Sequence, residues 1–365
     1  MATLDKIFSE ADKKWGKGTM TMGTALGEDY PRIPTGIFAL DYSTGGGFPI
    51  GVTSSIYGPP GGGKSLTLAR AVSCAQKMCW KCLDYEWDCQ CSQGPEKKKV
   101  VYVTTEIFDQ TWVEQLGVIT DELVVAEPDY GEQAADIIIE TLRADDCCLV
   151  VLDSIAMLTP IAELEGSAED QLIGAQARLI AKMVRKIKAT LVREKKRNHR
   201  MTFITTNQIR AKIGAMFGPS EEVPGGFVSK HDWHLTLRMS QIKSDDTDKE
   251  TELPVNAKFK SSMIAMGNKR KVLTLAGTAE FFVTVSELGE FKKGTINDFK
   301  TVEKYADQIE FIGRNPWTLF NKTYDKKSDI LSEWVENEEL FLTTKRRLIR
   351  EYVEQAKFNA QGGSI

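Results

Sequence analysis

The chain of 365 residues has no apolar run near the ~20 residues needed to cross a bilayer, so a membrane-embedded helical protein is not expected. Its first residues, Met1-Ala2-Thr3-Leu4-Asp5-Lys6, lack the basic-then-apolar order of a secretory leader. The expected compartment is therefore the cytoplasm. Basic charge is not in excess either. The formal net charge is −4, so affinity for nucleic acid would have to come from local patches rather than the overall field. There is no internal repeat and no low-complexity tract, which sets aside solenoids and disordered arrays. What is present is a globular composition, 42% hydrophobic and 27% charged, with enough chain for two or three domains.

Cysteine is sparse except in one place. Four of the seven, Cys79, Cys82, Cys89 and Cys91, crowd into thirteen residues with spacing C-x2-C-x6-C-x-C. In a reducing compartment such a cluster favours a metal over disulfides. Four thiolates suit a closed, structural, tetrahedral Zn²⁺ site; unliganded cysteines are the alternative. Cys74, Cys147 and Cys148 fall inside apolar helix or strand patterns and read as buried.

The most specific motif is Gly58-Pro59-Pro60-Gly61-Gly62-Gly63-Lys64-Ser65, with spacing G-x-x-x-x-G-K-[ST]. It follows the apolar run Ser55-Ile56-Tyr57 and opens a helix-compatible stretch, Leu66 to Met78. That setting predicts a phosphate-binding loop for a nucleoside triphosphate. Lys64 would reach the β- and γ-phosphates, and the Ser65 hydroxyl would bind Mg²⁺. β-Branched runs at 100–104, 148–152 and 201–205 alternate with helical stretches at 110–117, 131–143 and 170–196. This alternation predicts an α/β fold with a mostly parallel central sheet.

Ligands in such folds bind beyond the carboxyl ends of the strands. Asp153 ends one strand and is the natural Mg²⁺ partner, with a helix N-cap as the competing role. Glu106 follows another and could polarise an attacking water. Gln208 ends the third; its amide could touch a γ-phosphate or simply bond backbone. After residue 233, strands are expected at 234–239, 257–265 and 271–275, with a solvated tip at 243–252. A small α+β C-terminal unit should have helices near 301–312, 328–337 and 340–357. Residues 178–200 carry ten Lys or Arg against one acid, Glu194. Arg178, Lys182 and Arg185 share one helical face. A solvated face is the plain reading of that charge, and binding of a DNA backbone is the functional one.

Several stretches together resemble the bacterial RecA recombinase family: Trp15-Gly16-Lys17-Gly18, Ile56-Tyr57-Gly58-Pro59, Leu152 to Pro160, Ala162 to Gly166, and Asn207-Gln208-Ile209-Arg210 running on to Gly218. The resemblance covers residues 5–290 well and the rest loosely. It implies a RecA-type ATPase core over 34–290. An N-terminal helix and linker (1–33) would pack on the next subunit, and a small domain would cover 291–365. It further implies an ATP- and Mg²⁺-dependent filament on single-stranded DNA that pairs with homologous double-stranded DNA. In this likeness Glu106 activates water and Gln208 senses the γ-phosphate. Asp109 and Trp112 contact the adenine, in a segment one residue shorter than usual. Two DNA loops, 165–174 and 208–227, bring Ile173, Arg178, Arg185, Arg210, Lys212, Ile213, Gly225 and Gly226 to DNA.

The chain also departs from the family. Of two lysines a neighbouring subunit supplies to the ATP site, Lys260 aligns with one and Ser262 with the other. A shifted register uses Lys258 and Lys260, with Lys269 and Arg270 nearby. An interface aromatic falls on His231, and the acidic tail has no counterpart in residues 359–365. Residues 79–97 are an insertion. Three other functions share parts of the pattern. A branch-migration ATPase would carry its zinc motif before the phosphate loop, and a hexameric helicase lacks the Asn207–Gly218 run. A DNA-coating protein would use ATP only as an assembly switch.

Overall fold

Alternating β-branched and aromatic residues build one eight-stranded sheet in the computed structural model. The structure describes residues 3–15, 19–20, 30–166, 174–211, 221–222, 232–243, 256–263, 275–285 and 293–360. The strands are β1 Thr53–Gly58, β2 Lys99–Thr104, β3 Leu123–Ala126, β4 Cys147–Asp153, β5 Thr202–Gln208, β6 Leu235–Ile242, β7 Asn256–Met263 and β8 Thr278–Thr284. Their order is β8-β7-β6-β1-β5-β4-β2-β3. From β6 to β3 all pairings are parallel, whereas β7 and β8 are added antiparallel.

Among the described residues the helices of six or more residues are α1 Leu4–Trp15, α2 Phe38–Thr44, α3 Lys64–Gln76, α4 Gln110–Gln115, α5 Gly131–Thr141, α6 Ala175–Lys196, α7 Phe299–Gln308, α8 Lys327–Glu336 and α9 Glu338–Ala360. Strand alternation divides the core in two. Val100, Tyr102, Leu149 and Val151 face the cluster around α3, while Val101, Val103, Val150 and Leu152 face α5 and α6. Both faces are covered, as a parallel sheet requires.

Sequence patterning missed α2, which is buried nearly all round and shows no amphipathic face, and β3, which has only four residues. Most of the expected strand at 271–275 lies outside the described residues, and Leu275 sits in a bend. The strand next to β7 is instead β8, carried by Phe281, Phe282 and Val283. A third cluster joins α7, α8, α9 and the hairpin Trp317–Leu319/Lys322–Tyr324 around Ile330, Trp334 and Leu348. It also takes in Phe38 and Tyr42 of α2. The Phe38 N–H donates to Asp298 Oδ2 (2.8 Å), and Lys345 Nζ donates to the Gly36 carbonyl (2.7 Å).

Asp41 clips this junction. Its carboxylate accepts from the Thr35 N–H (2.8 Å), the Thr35 hydroxyl (2.7 Å) and the Gly36 N–H (3.0 Å). Burial nevertheless raises its pKa from 3.8 to about 6, against those hydrogen bonds and Lys345. Because the folded value lies above the unfolded one, the folded protein takes up a proton as pH falls through about 6. Stability from this group therefore rises on acidification until pH nears 3.8. Urea unfolding of wild type and Asp41→Asn should show the wild type gaining roughly 2 kcal/mol relative to the variant between about pH 7.5 and 4.5. A difference that does not move with pH would refute it.

A candidate nucleotide site and a four-cysteine cluster

β1 ends at Gly58 and α3 begins at Lys64, so the phosphate-loop motif spans a strand-to-helix turn. Glycine is required at Gly58 because a Cβ there would lie 2.0 Å from the Met239 carbonyl oxygen of β6. Gly63 has φ +84°, and a Cβ would meet the Phe259 ring at 2.8 Å. Gly63 is also the N-cap of α3 and offers no side-chain acceptor. The first-turn N–H groups and the positive end of the helix are thus left for an anion. Lys64 Nζ rests on the Pro59 carbonyl (2.8 Å). Burial lowers its pKa, with Asp153 and Glu106 pulling the other way. Ser65 follows in the first turn.

Register brings the remaining groups to the same edge. Gly58 pairs with Gln208, and Thr104 with Asp153. Buried Asp153 accepts from the Tyr102 hydroxyl at Oδ2 (2.9 Å) and from the Thr206 hydroxyl at Oδ1. Burial, then the Asp153 charge, pushes the Tyr102 phenol well above its usual pKa, so it stays a donor. Glu106 is exposed just past β2. The Thr104 hydroxyl donates to its carbonyl (2.8 Å) and accepts from its N–H (3.1 Å). Its Oε1 accepts from Ser154 Oγ (2.9 Å) and Gln208 Nε2 (3.1 Å). Tyr102, Thr206 and Ser154 are partners that sequence reasoning did not find. Strand alternation places Tyr102 on the α3 side, but only the β2–β4 register reveals what it meets.

Asp109 caps α4, accepting from the Trp112 N–H at Oδ1 (3.0 Å), and Trp112 packs half-buried against the α3-side core. Lys258 and Lys260 both pair with Glu280 of β8 (2.8 and 3.5 Å). Phe259 between them contacts Gly63, so the two lysines project from the opposite sheet face. Arg178, Lys182 and Arg185 lie exposed along α6. Two residues past Gln208, the chain forms a short antiparallel pair, Arg210–Ala211 with Glu221–Glu222. Ile173, Lys212, Ile213, Gly225 and Gly226 lie outside the described residues.

The cysteine loop leaves the end of α3. Sγ atoms of Cys79, Cys82, Cys89 and Cys91 all lie within 4.8 Å of one another, and Cys79 and Cys91 are 3.9 Å apart. A tetrahedral Zn–S bond of about 2.3 Å implies S···S near ~3.8 Å, so the donor set fits. The Glu96 N–H donates to Cys79 Sγ (3.3 Å) and the Cys91 N–H to Cys89 Sγ (3.4 Å). Burial raises the Cys79 pKa, but backbone N–H groups of Cys82, Glu96 and Lys81 outweigh it and bring the thiol down to about 6. Asp145, Glu194 and His199 also lie close together. There Arg197 bonds both carboxylates (3.0 and 2.9 Å), which makes the group an ion network.

Two glycine variants separate shape from flexibility. Gly58→Ala collides with a backbone carbonyl and should cost about 3 kcal/mol or more, with loss of nucleotide binding. Gly61→Ala has φ +69° but open space around its Cβ, and should cost only about 1–2 kcal/mol. Denaturant unfolding and binding of a fluorescent nucleotide read both; equal losses would contradict the Met239 contact.

Comparison with known proteins agrees with this geometry. A family model described as the RecA N-terminal domain matches residues 2–272. Protein RecA of Campylobacter fetus subsp. fetus is 31% identical, over 100% of this chain and 94% of its own length. Protein RecA of Delftia acidovorans is 33% identical over 84% of this chain and 76% of its own, and that of Streptomyces coelicolor 32% over 84% and 83%. With the phosphate loop, both acids and Gln208 assembled on one sheet edge, the chain belongs to the RecA family.

Proposed function

We infer that this protein is an ATP-dependent DNA recombinase, assembling on single-stranded DNA and exchanging it with a homologous duplex. The observation that carries this reading is the convergence at the sheet's carboxyl edge. Gln208 touches Glu106 and ends β5 two residues before Arg210–Ala211, the short strand that pairs with Glu221–Glu222. A single side chain therefore connects the water-activating position to the segment expected to meet DNA.

ATP supplies the phosphoanhydride whose cleavage drives the cycle. The loop N–H groups and Lys64 hold its phosphates, while Ser65 and Asp153 hold Mg²⁺. Asp153 already accepts from Tyr102 and Thr206, which fixes its carboxylate plane. Glu106 takes the proton of the attacking water, and Ser154 and Gln208 set its direction. Asp109 keeps one carboxylate oxygen beyond its capping bond, and Trp112 offers a ring face; these two meet the adenine. Lys258 and Lys260 project away from their own loop, as completion of a neighbour's site requires. Leu4 on α1 and Ile107 beside Glu106 are 70% and 97% exposed, which supports self-association through these regions. Arg178 and Arg185 supply cations along α6 for a DNA backbone, with Ile173, Arg210, Lys212, Ile213, Gly225 and Gly226 in the adjoining loops. The four cysteines hold a structural Zn²⁺. Among the described residues no helix is long and apolar enough to cross a membrane.

ATP turnover should rise when single-stranded DNA is added. Glu106→Gln should lower kcat about 10²–10⁴-fold while nucleotide still binds, and Lys64→Ala should lose binding. Turnover indifferent to DNA would overturn the recombinase reading. Protein purified without added zinc should carry about one equivalent per chain; less than about half would defeat the metal assignment.

A further inference from the structure

The six residues between Cys82 and Cys89 form a docking face for helix α9. Arg346 donates to the Leu83 carbonyl, and Arg350 pairs with Asp84 (2.6 Å). The Arg346 guanidinium lies 5.5 Å from the centre of the Tyr85 ring, which stacks on Trp87 (4.8 Å, 14°). Trp87 Nε1 donates to the Thr343 hydroxyl (2.9 Å), which in turn donates to Asp88, and Arg347 pairs with Asp88 (3.3 Å). Every one of these contacts falls inside the segment that the second and third cysteines bracket.

The two ends of that segment are held differently. Leu83 and Tyr85 are buried in the α3-side core. Beyond them, Trp87 and Asp88 are only half-buried, and residues 92–97 are exposed. The chain there is tied back through Cys89 and Cys91, and further on by the Trp80 N–H to the Glu96 carbonyl (2.9 Å) and by Lys97 to the Gln76 carbonyl (2.8 Å). Arg347 and Arg350 are about half exposed (49% and 47%), and such ion pairs contribute little singly. They act together only if the loop keeps one arrangement. At the other end of the interface, Glu338 at the start of α9 meets Arg70 in the middle of α3 and Lys77 just past its end (both 3.7 Å).

We propose that metal binding at Cys79, Cys82, Cys89 and Cys91 locks α9, and with it the C-terminal unit, onto the ATPase core. The proposal rests on the zinc reading above and adds a consequence to it: metal occupancy tightens a hold on α9 that the Phe38–Asp298 and Lys345–Gly36 bonds begin. The ATP-binding edge lies at the opposite end of α3 and stays intact when the metal leaves.

Hydrogen exchange on the full-length protein tests this, with zinc removed by chelation and then restored. Residues 340–350 should exchange at least about tenfold faster without metal, 149–152 should change less than about twofold, and zinc should reverse the effect. The double variant Arg347→Ala/Arg350→Ala should keep its zinc yet show the faster exchange in α9. If the wild type holds no zinc, both the metal reading and the lock fall. If zinc is bound but α9 exchanges at the same rate after its removal, the lock alone falls. Acceleration of 149–152 to the same extent would also overturn it, because the metal would then be holding the whole core.

Discussion

The hydrogen-bond ladder that joins β1, β5, β4 and β2 decides where four chemical groups leave the sheet. Gly58 lies opposite Gln208, Leu152 opposite Thr205, and Thr104 opposite Asp153. A slip of one residue in any pair would turn side chains to the other face. Tyr102 would then lose Asp153, and Glu106 would leave the reach of Ser154 and Gln208. The phosphate loop depends on the same ladder, because Gly58 is squeezed between β5 and the Met239 carbonyl of β6.

Polar groups at this edge are arranged in pairs that restrain one another. Two hydroxyls use both oxygens of Asp153, while a hydroxyl and an amide converge on one oxygen of Glu106. At buried Asp153, low solvent access makes each such bond stronger and an orphaned partner more costly. The lone acid of the basic run, Glu194, follows the same rule away from the site. It is buried and shared between His199 and Arg197, so the cations left on the α6 surface are not neutralised by it.

Local spacing carried most of what could be read from the chain. The phosphate loop, the strand-ending Asp153 and the cysteine cluster are each written within a few neighbouring residues. Their partners are not. Tyr102 is ordinary in its own strand and gains a role only because β4 lies beside β2. Trp87 reads as part of an insertion, and its partner Thr343 is 256 residues away. The short elements α2 and β3 were illegible for a different reason: they owe their form to packing rather than to any pattern of their own. The lysines 258 and 260 were legible as cations, but their direction required the Phe259–Gly63 contact.

A helix of 13 residues is about 20 Å long. α3 uses that length to keep two kinds of change apart. Its first turn faces the nucleotide edge, where a tenth of a nanometre matters. Its last turn delivers the chain to the sheet's amino-terminal edge, where β2 is about to begin and no reacting atom is near. A long loop fits there because it perturbs neither the ladder register nor the acids beyond it. The same strand polarity that concentrates chemistry at one rim leaves the other rim free for a second task, and the cysteine loop occupies it.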